Sequence, residues 1–545
     1  MDRPPPHGPG RRTLLAALGT ALAAGVGCGD VRRAAPDRRA ATGLAAAPQP
    51  ATPQPDAAPT PRPVPGPPKR QMRGLWITSL HNADWPAARG LPPERSRADL
   101  TTLLDQAVAI GFNAAFLQVR PTADALWPSP YEPWTEWLTG AQGRDPGWDP
   151  LAFAVEAAHE RGLALHAWFN PFRVAIQPDP AKLLPSHPAR RNPGWLVRYN
   201  GELYYDPGLP EVRAFVQQAI MDAVLHYDLD GVHFDDYFYP YPGPQDFPDH
   251  ASFAAHGGGF RNRAAWRRRN IDLMVRQTQQ LIRAARPEVV YGVSPFGVWR
   301  NRRTDPRGSA TTALVQSYDS QYSDTLGWAR EGWIDYIAPQ LYWYFGYELA
   351  DYALLAPWWA EQTAGTDTQL WIGQSASRPG APERPGPWQD PAELSRHLAL
   401  NATLPAIGGD ILFSARAVQL DRIGAVRKLA AEHWQRPALR PLLPRLAHGT
   451  PPGPPGLSPV VPWRGVLRVV PGAGPQPFQY ALYRYDDYPG PIPPADPDHL
   501  VALLPALTTD RYRLPPEAPG AWHAATAIDR AGRESGVGRP VRFTP

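Results

Sequence analysis

The sequence predicts an α/β chain, a (β/α)8 barrel of the TIM type followed by a small all-β sandwich. Three observations predict it. Strand-like and helix-like segments alternate eight times between Arg73 and Trp434. Polar and aromatic side chains recur at the ends of most of those strands, where a barrel gathers its chemistry. Short strand-like runs then follow a proline-rich stretch. With 545 residues, 10% of them aromatic and 19% charged, the chain can bury two or three cores, and a barrel of about 250 to 400 residues fits inside it.

The N-terminal 28 residues read as an export signal. Arg11 and Arg12 precede an apolar run from Leu14 to Gly27, too short to span a bilayer. The pair followed by Thr13, Leu14 and Leu15 resembles a twin-arginine signal, an address rather than an anchor. Cys28, the only cysteine, has no partner for an internal disulfide. It follows Ala24, Gly25, Val26 and Gly27, which resembles a bacterial lipoprotein attachment site with Gly25 in the place usually held by leucine. Cys28 is therefore expected to carry a lipid; the alternative is that it leaves with a cleaved signal. The expected location is the cell envelope, with membrane contact only through that anchor. Residues 29–70, rich in Ala, Pro and Arg, cannot bury enough apolar surface to fold and read as a tether.

The barrel is expected over residues 71–436, with strands at 73–79, 114–120, 164–170, 231–237, 289–295, 335–342, 369–375 and 409–415. Helical spacing fills the gaps: after Pro210, the residues Val212, Phe215, Val216, Ala219, Ile220, Ala223 and Val224 recur on one face. A doubly wound sheet is the competing architecture. It lacks support because no glycine-rich fingerprint follows the first strand.

Alternation along the strands divides their side chains into two sets. On the second strand Phe116, Gln118 and Arg120 alternate with Ala115, Leu117 and Val119, so the first set points inward if the aliphatic set packs on helices. His166, Trp168 and Asn170 repeat this on the third. The fourth carries His233, Asp235 and Tyr237 opposite Val232 and Phe234, the fifth Ser294, the sixth Gln340 and Tyr342, and the seventh ends at Gln374 and Ser375. Trp76 on the first strand, Asp84 and Asp124 beyond the first two, and Trp343 after the sixth complete the expected substrate-contacting set.

Those residue types suit a sugar polymer. Flat C–H faces of pyranose rings stack on aromatics, and hydroxyls bond Asp, Asn, Gln and Arg. Tryptophans 85, 127, 134, 137, 195, 299, 343, 358 and 359 lie in or beside the loops, either as walls for a carbohydrate groove or as small cores of the loops themselves. Glycoside hydrolysis ordinarily needs two carboxyl groups, one protonated and one ionised. Asp235 and Asp236 are the catalytic candidates. Asp236 would leave a regular strand on the opposite face, so it joins the site only if the strand has ended or bulged there; otherwise it supports the loop. Asp84, Asp124 and Asp319 are alternative partners.

Other chemistries are not indicated. No His/Cys/Asp cluster has metal-ligand spacing, and no nucleophile elbow, phosphate loop or cofactor motif is present. The net charge of +4 does not support nucleic-acid binding, and the run Arg261 to Arg269 reads as a solvated helix face.

Several motifs in order carry a resemblance. Arg73-Gly74-Leu75-Trp76-Ile77, Gly111-Phe112-Asn113, Gln118-Val119-Arg120 with Asp124-Ala125, Trp168-Phe169-Asn170-Pro171, Phe234-Asp235-Asp236-Tyr237-Phe238-Tyr239-Pro240, Ser294-Pro295-Phe296-Gly297 and Pro339-Gln340-Leu341-Tyr342-Trp343 resemble the glycosyl-hydrolase-like family ten of bacterial envelope lipoproteins. That family includes a divisome-associated glycosidase of peptidoglycan strands stripped of their stem peptides. The resemblance implies an exported barrel glycosidase, without cofactor, that hydrolyses envelope glycans, most specifically peptide-free or de-N-acetylated peptidoglycan strands. Two alternatives stand beside it: a non-catalytic glycan-binding envelope lipoprotein, and a glycosidase of an exogenous polysaccharide. Asp230-Gly231-Val232-His233-Phe234-Asp235 is also similar to the fourth-strand motif of chitinases. There, however, His233 replaces an Asp and Tyr237 stands where the proton-donating Glu would be. Chemistry through protein carboxylates is expected instead, with His233 tuning Asp235 by a hydrogen bond.

Residues 437–463 hold proline clusters and read as a linker. Residues 464–545 show strand-like runs at 465–470, 478–485 and 522–528, and with Asp529-Arg530-Ala531-Gly532-Arg533-Glu534-Ser535 resemble a fibronectin type III module, a spacer or binding domain.

Overall fold

The computed structural model describes residues 68–460, 465–513 and 520–542; the expected export signal, Cys28 and the tether as far as residue 67 lie outside them. Eight parallel strands close a barrel in the circular order β1-β11-β10-β9-β8-β7-β3-β2. They are β1 (Met72–Ile77), β2 (Ala114–Arg120), β3 (Ala164–Phe169), β7 (Gly231–Phe234), β8 (Val290–Val293), β9 (Tyr336–Ile337), β10 (Gln369–Ser375) and β11 (Ile407–Phe413). Between β3 and β7 the chain makes an excursion through a three-stranded antiparallel sheet of β4 (Arg173–Ala175), β5 (Leu196–Tyr199) and β6 (Glu202–Tyr205). Consecutive barrel strands are neighbours all the way round, which rules out the doubly wound alternative. Among the described residues no helix is long and apolar enough to cross a membrane.

Alternation sorts the strand side chains as the sequence implies. Ala115, Leu117, Val119, Leu165, Ala167 and Phe169 belong to the large core shared with the helices, whereas Trp76, Phe116, Trp168, Tyr336, Trp371 and Ile411 fill the barrel. The interior works by alternating large and absent side chains. Gly231 pairs with His166, and a Cβ there would stand 2.3 Å from the His166 ring; a Cβ on Gly292 would stand 2.2 Å from the Tyr336 ring. Those two glycines create the room into which the rings fold.

Six strands end sooner than expected, and three of them do so for plain local reasons. β7 stops at Phe234 because the Asp235 carboxylate accepts the Tyr237 backbone N–H at 3.1 Å, an Asx turn that diverts the chain. Pro295 lies beyond β8 and Pro339 beyond β9, and neither has an N–H to lend a ladder. Isolated bridges from Gln340 to Phe296 and to Gly373 carry the pairing a little further.

After the barrel the chain does not run free. Leu439 and Leu443 are buried, and Arg70 bridges to Leu439. The stretch expected as a linker therefore packs beneath the N-terminal end of the barrel for its first ten residues. Its last part also contributes a strand, so the 464 boundary is corrected: β12 (Gly456–Pro459) pairs with β13 (Val466–Val470), with β16 (Arg511–Arg513) on the other side. A four-stranded antiparallel sheet, β15-β14-β17-β18, made from Leu500–Pro505, Gln479–Tyr485, Trp522–Ile528 and Val541–Arg542, completes the small β domain.

That domain is fastened to the barrel base by charge. Asp230, just before β7, accepts His159 at 2.8 Å and the Leu165 N–H at 2.7 Å, and pairs with Arg530 at 3.2 Å and Arg440 at 3.6 Å. Burial alone would raise this carboxyl, but Arg530, His159 and Arg440 outweigh it and hold it well below the usual carboxylate range. Arg445 makes a second clamp on Asp335, at 2.5 and 2.8 Å. Between the two surfaces lies a cavity of about 50 Å³.

Candidate active site

The opposite, C-terminal rim gathers the carboxylates. Because β7 has ended at Phe234, both Asp235 and Asp236 leave the strand into the rim, and each is only 4% exposed. Asp235 accepts the indole N–H of Trp168 at 3.0 Å and the Asn170 amide at 3.2 Å, besides the Tyr237 N–H. Register makes this inevitable: Trp168 pairs with His233, so the residue two further along β3 meets the residue two further along the fourth barrel strand. Burial pushes the Asp235 carboxyl up and the Asp236 charge pushes it further; Arg173, the Tyr237 N–H and Trp168 hold it at about 6.

Asp236 has its own donors. The Tyr241 hydroxyl donates to it, and the Gln321 amide reaches its carboxylate at 3.4 Å and its carbonyl at 2.8 Å. Burial raises this carboxyl too, opposed by Tyr241, the backbone, Gln340 and Gln321. Two neighbouring buried carboxyl groups, both raised and one of them to about 6, are an arrangement that can hold a proton in mildly acidic solution.

Arg173, in the excursion sheet, completes this charge cluster. Its guanidinium lies 4.3 Å over the Tyr237 ring and 3.6 Å from Glu202, and it lowers Asp235. Half-exposed rings continue along the rim: Tyr237 to Tyr241 at 5.4 Å, Tyr241 to Phe296 at 6.1 Å, Phe296 to Trp343 at 5.3 Å. Tyr342 stacks on Phe413 at 6.1 Å, and Gln340 donates to the Ser294 carbonyl at 2.9 Å.

Other expected contacts lie deeper. His233 is fully buried and does not bond Asp235, which corrects the tuning role expected for it. Its Nε2 accepts the Trp76 indole N–H at 3.1 Å and lies 2.9 Å from the Ser294 hydroxyl, while Nδ1 lies 2.9 Å from the Tyr336 hydroxyl. Since an indole can only donate, Nε2 is the acceptor and the proton sits on Nδ1. The Tyr336 hydroxyl in turn lies 3.2 Å from Nδ1 of His166, which burial holds at about 3. Trp76, His166, His233 and Ser294 thus form a neutral polar plug below the carboxylates.

The remaining expected residues shape loops. Gln118 accepts the Ser79 and Leu80 N–H groups at 3.1 and 3.0 Å. Arg120, completely buried, is held by Glu132 at 2.5 and 2.6 Å and by the Asn170 and Pro171 carbonyls, so its five donors face protein. Asp84 ties the Thr78 N–H to Ser414 and the Arg416 N–H, each at 2.7 Å. Asp124 accepts Thr122 at 2.7 Å and is raised by burial to about 7. Asp319 is occupied by Arg300. Of the nine tryptophans expected in or beside the loops, 85, 127, 137, 299, 358 and 359 are buried, 358 and 359 within the helix Tyr352–Thr363, and Trp343 is the one in the row of rim rings.

Residue reasoning missed Arg173, Tyr241, Gln321 and Glu132. Arg173 had a signal, a cation three residues beyond Asn170 at a strand end; Gln321 and Tyr241 come from irregular loops that carry no periodicity.

With this geometry in view, the likenesses to known proteins can be placed. The family model described as Glycosyl hydrolase-like 10 matches residues 71–389. The chain is 45% identical over 385 residues to "Glycosyl hydrolase YngK" of Bacillus subtilis (strain 168), covering 70% of this chain and 75% of that protein. It is 38% identical over 362 residues to "Glycosyl hydrolase DigH" of Escherichia coli (strain K12), covering 63% of this chain and 82% of the other.

Proposed function

The chain belongs to the glycosyl hydrolase-like 10 family, and on that premise we propose that it hydrolyses glycosidic bonds of cell-envelope glycans. The observation that carries this reading is the buried Asp235–Asp236 pair at the barrel's C-terminal rim, with Asp235 raised to about 6 beside a row of half-exposed rings. In this reading the pair carries one proton. Asp235, whose raised carboxyl retains a proton in mildly acidic and near-neutral solution, gives it to the leaving glycosidic oxygen. Asp236, held by Tyr241 and Gln321, is the ionised partner that stabilises the developing positive charge on the sugar and activates its acceptor. Trp168 and Asn170 fix the Asp235 oxygens, and the rings from Tyr237 to Trp343 stack on the sugars.

The substrate proposed is peptidoglycan glycan, peptide-free or de-N-acetylated. The motif resemblance supports this substrate, and the likeness to two glycosyl hydrolases supports the hydrolytic chemistry alone. Export through residues 1–28, lipid attachment at Cys28 and a fibronectin type III identity for the β domain belong to the same proposal.

The test is release of reducing ends from peptide-free strands by the full chain, with Asp235→Asn as control. Hydrolysis by the wild type and none by a folded Asp235→Asn supports the reading. Binding of strands without any release from pH 4 to 8 defeats it in favour of a glycan-binding protein.

A further inference from the structure

Arg378 is a half-buried cation on the rim whose guanidinium has no carboxylate, carbonyl or ring partner among the described residues. The other arginines around the barrel mouth are spoken for: Arg120 by Glu132, Arg173 by Glu202, Arg267 by Asp249, Arg300 by Asp319. Arg378 instead stands near a second cation, Arg384, which lowers it further after burial has already done so. Leaving a guanidinium half out of water beside a like charge costs free energy that the nearby Tyr342 and Tyr347 phenols offset only in part.

Its place is fixed by the strands. β10 ends at Ser375, which pairs with Phe413, and the Ala376 N–H donates to the Phe413 carbonyl at 2.8 Å. The turn that follows is closed by the Ala381 N–H on the Arg378 carbonyl at 3.1 Å. Phe413 is also the ring on which Tyr342 stacks, so the turn starts next to a member of that stack. The Tyr342 phenol lies within electrostatic reach of both Asp236 and Arg378. A sugar unit lying over Tyr342 with its linkage at the carboxylate pair would present its far substituents to Arg378.

From this juxtaposition we propose that Arg378 binds a carboxylate carried by the glycan, and so makes the site selective for acidic strands. The inference rests on the reading of the site as a glycan site, and it names a substituent that reading leaves open. Guanidinium and carboxylate match as a two-pronged pair. In peptidoglycan the lactyl carboxyl of each muramic residue is free only where the stem peptide has been removed, so Arg378 would separate bare strands from substituted ones by charge. A uronic acid carries the same group on its ring.

The experiment compares three polymers on the full chain: peptide-free glycan strands, the same strands with their carboxyls converted to methylamides, and hyaluronan as the uronic arm. Binding is measured by co-sedimentation or calorimetry, and KM separately from kcat wherever cleavage occurs. The wild type is expected to bind a carboxylate form about tenfold more tightly than the amide, and Arg378→Gln to bring the two together. Arg378→Lys should keep part of the difference. Preference for the lactyl strands or for hyaluronan identifies which carboxylate is read. Equal binding of acid and amide by the wild type overturns the proposal, as does a loss in Arg378→Gln that is the same for both, which is what mere destabilisation would give. If no polymer is cut, the hydrolase reading fails, while the acid-to-amide binding ratio still decides Arg378.

Discussion

Trp168 donates its indole N–H to Asp235 across 3.0 Å, joining the third and fourth barrel strands at the point where the chemistry is proposed. That bond favours the ionised carboxylate, so it holds Asp235 down against burial and Asp236. Trp168→Phe keeps a ring and removes the donor. The Asp235 carboxyl should rise above about 6, moving the alkaline limb of the pH–rate profile upward, with kcat reduced about tenfold through lost positioning. A profile of kcat/KM from pH 4 to 9 checks it; an unmoved limb would detach Trp168 from the proton.

Tyr241→Phe should act on the other carboxyl. The hydroxyl donates to Asp236, so its loss favours the protonated form and withdraws the ionised partner. The acid limb of the same profile should move to higher pH. Folding stability should fall by about 1–3 kcal/mol, measured by urea unfolding.

The plug beneath the site predicts a pH-dependent stability. His166 is held at about 3 against 6.5 in an unfolded chain, so below pH 6.5 the unfolded state binds the proton that the folded state refuses. This contribution is complete above about pH 6.5 and is lost toward pH 3, at about 1.4 kcal/mol per pH unit. Raised carboxyls such as Asp124 and Asp410 work in the opposite sense, their stabilisation falling as pH rises toward 7. The comparison that isolates the histidine is wild type against His166→Gln. Unfolding free energies at pH 7, 6, 5 and 4 should converge as the pH falls.

Arg530→Ala should loosen the base. Asp230 keeps His159 and Arg440 but loses its largest cationic neighbour, a cost of about 1–3 kcal/mol. Its carboxyl also rises toward the unfolded-chain value, so Asp230 contributes less stability at neutral pH and less of it is left to lose in acid. Limited proteolysis should then cut residues 447–455 sooner than in the wild type.

Cys28→Ser tests the anchor. On expression in a bacterium that lipidates exported proteins, labelled palmitate should enter the wild-type chain and be absent from the variant, which should still be exported. Absence of label from the wild type would remove the anchor and leave export standing.

How much of this was legible depended on periodicity. All eight barrel strands were readable because Leu117, Val119, Leu165 and Ala167 alternate with Phe116, Gln118, His166 and Trp168, and a closed parallel sheet needs that alternation. Strand ends were less legible: β9 keeps only Tyr336 and Ile337 because Pro339 cannot pair, and β7 ends on a side chain's hydrogen bond. Asp235 was legible, being at the end of an alternating run. What lay around it was not. Polar residues of one face looked alike in sequence, and only three-dimensional partners divide Arg120 and Gln118, consumed by protein, from Tyr237 and Gln340, half open on the rim. Arg378 had the opposite fault: nothing local marks it, and its meaning lies in what it lacks.

The docked segment under the barrel sets a limit on shortening this protein. A version trimmed just after Trp434 would uncover the floor formed by Met72, His166, Val290 and Trp371, and would strip Asp230 and Asp335 of Arg440, Arg530 and Arg445. Such a fragment would expose a greasy, anionic underside and clump on expression. Whoever wants a minimal barrel must therefore carry the tail along or redesign its seat.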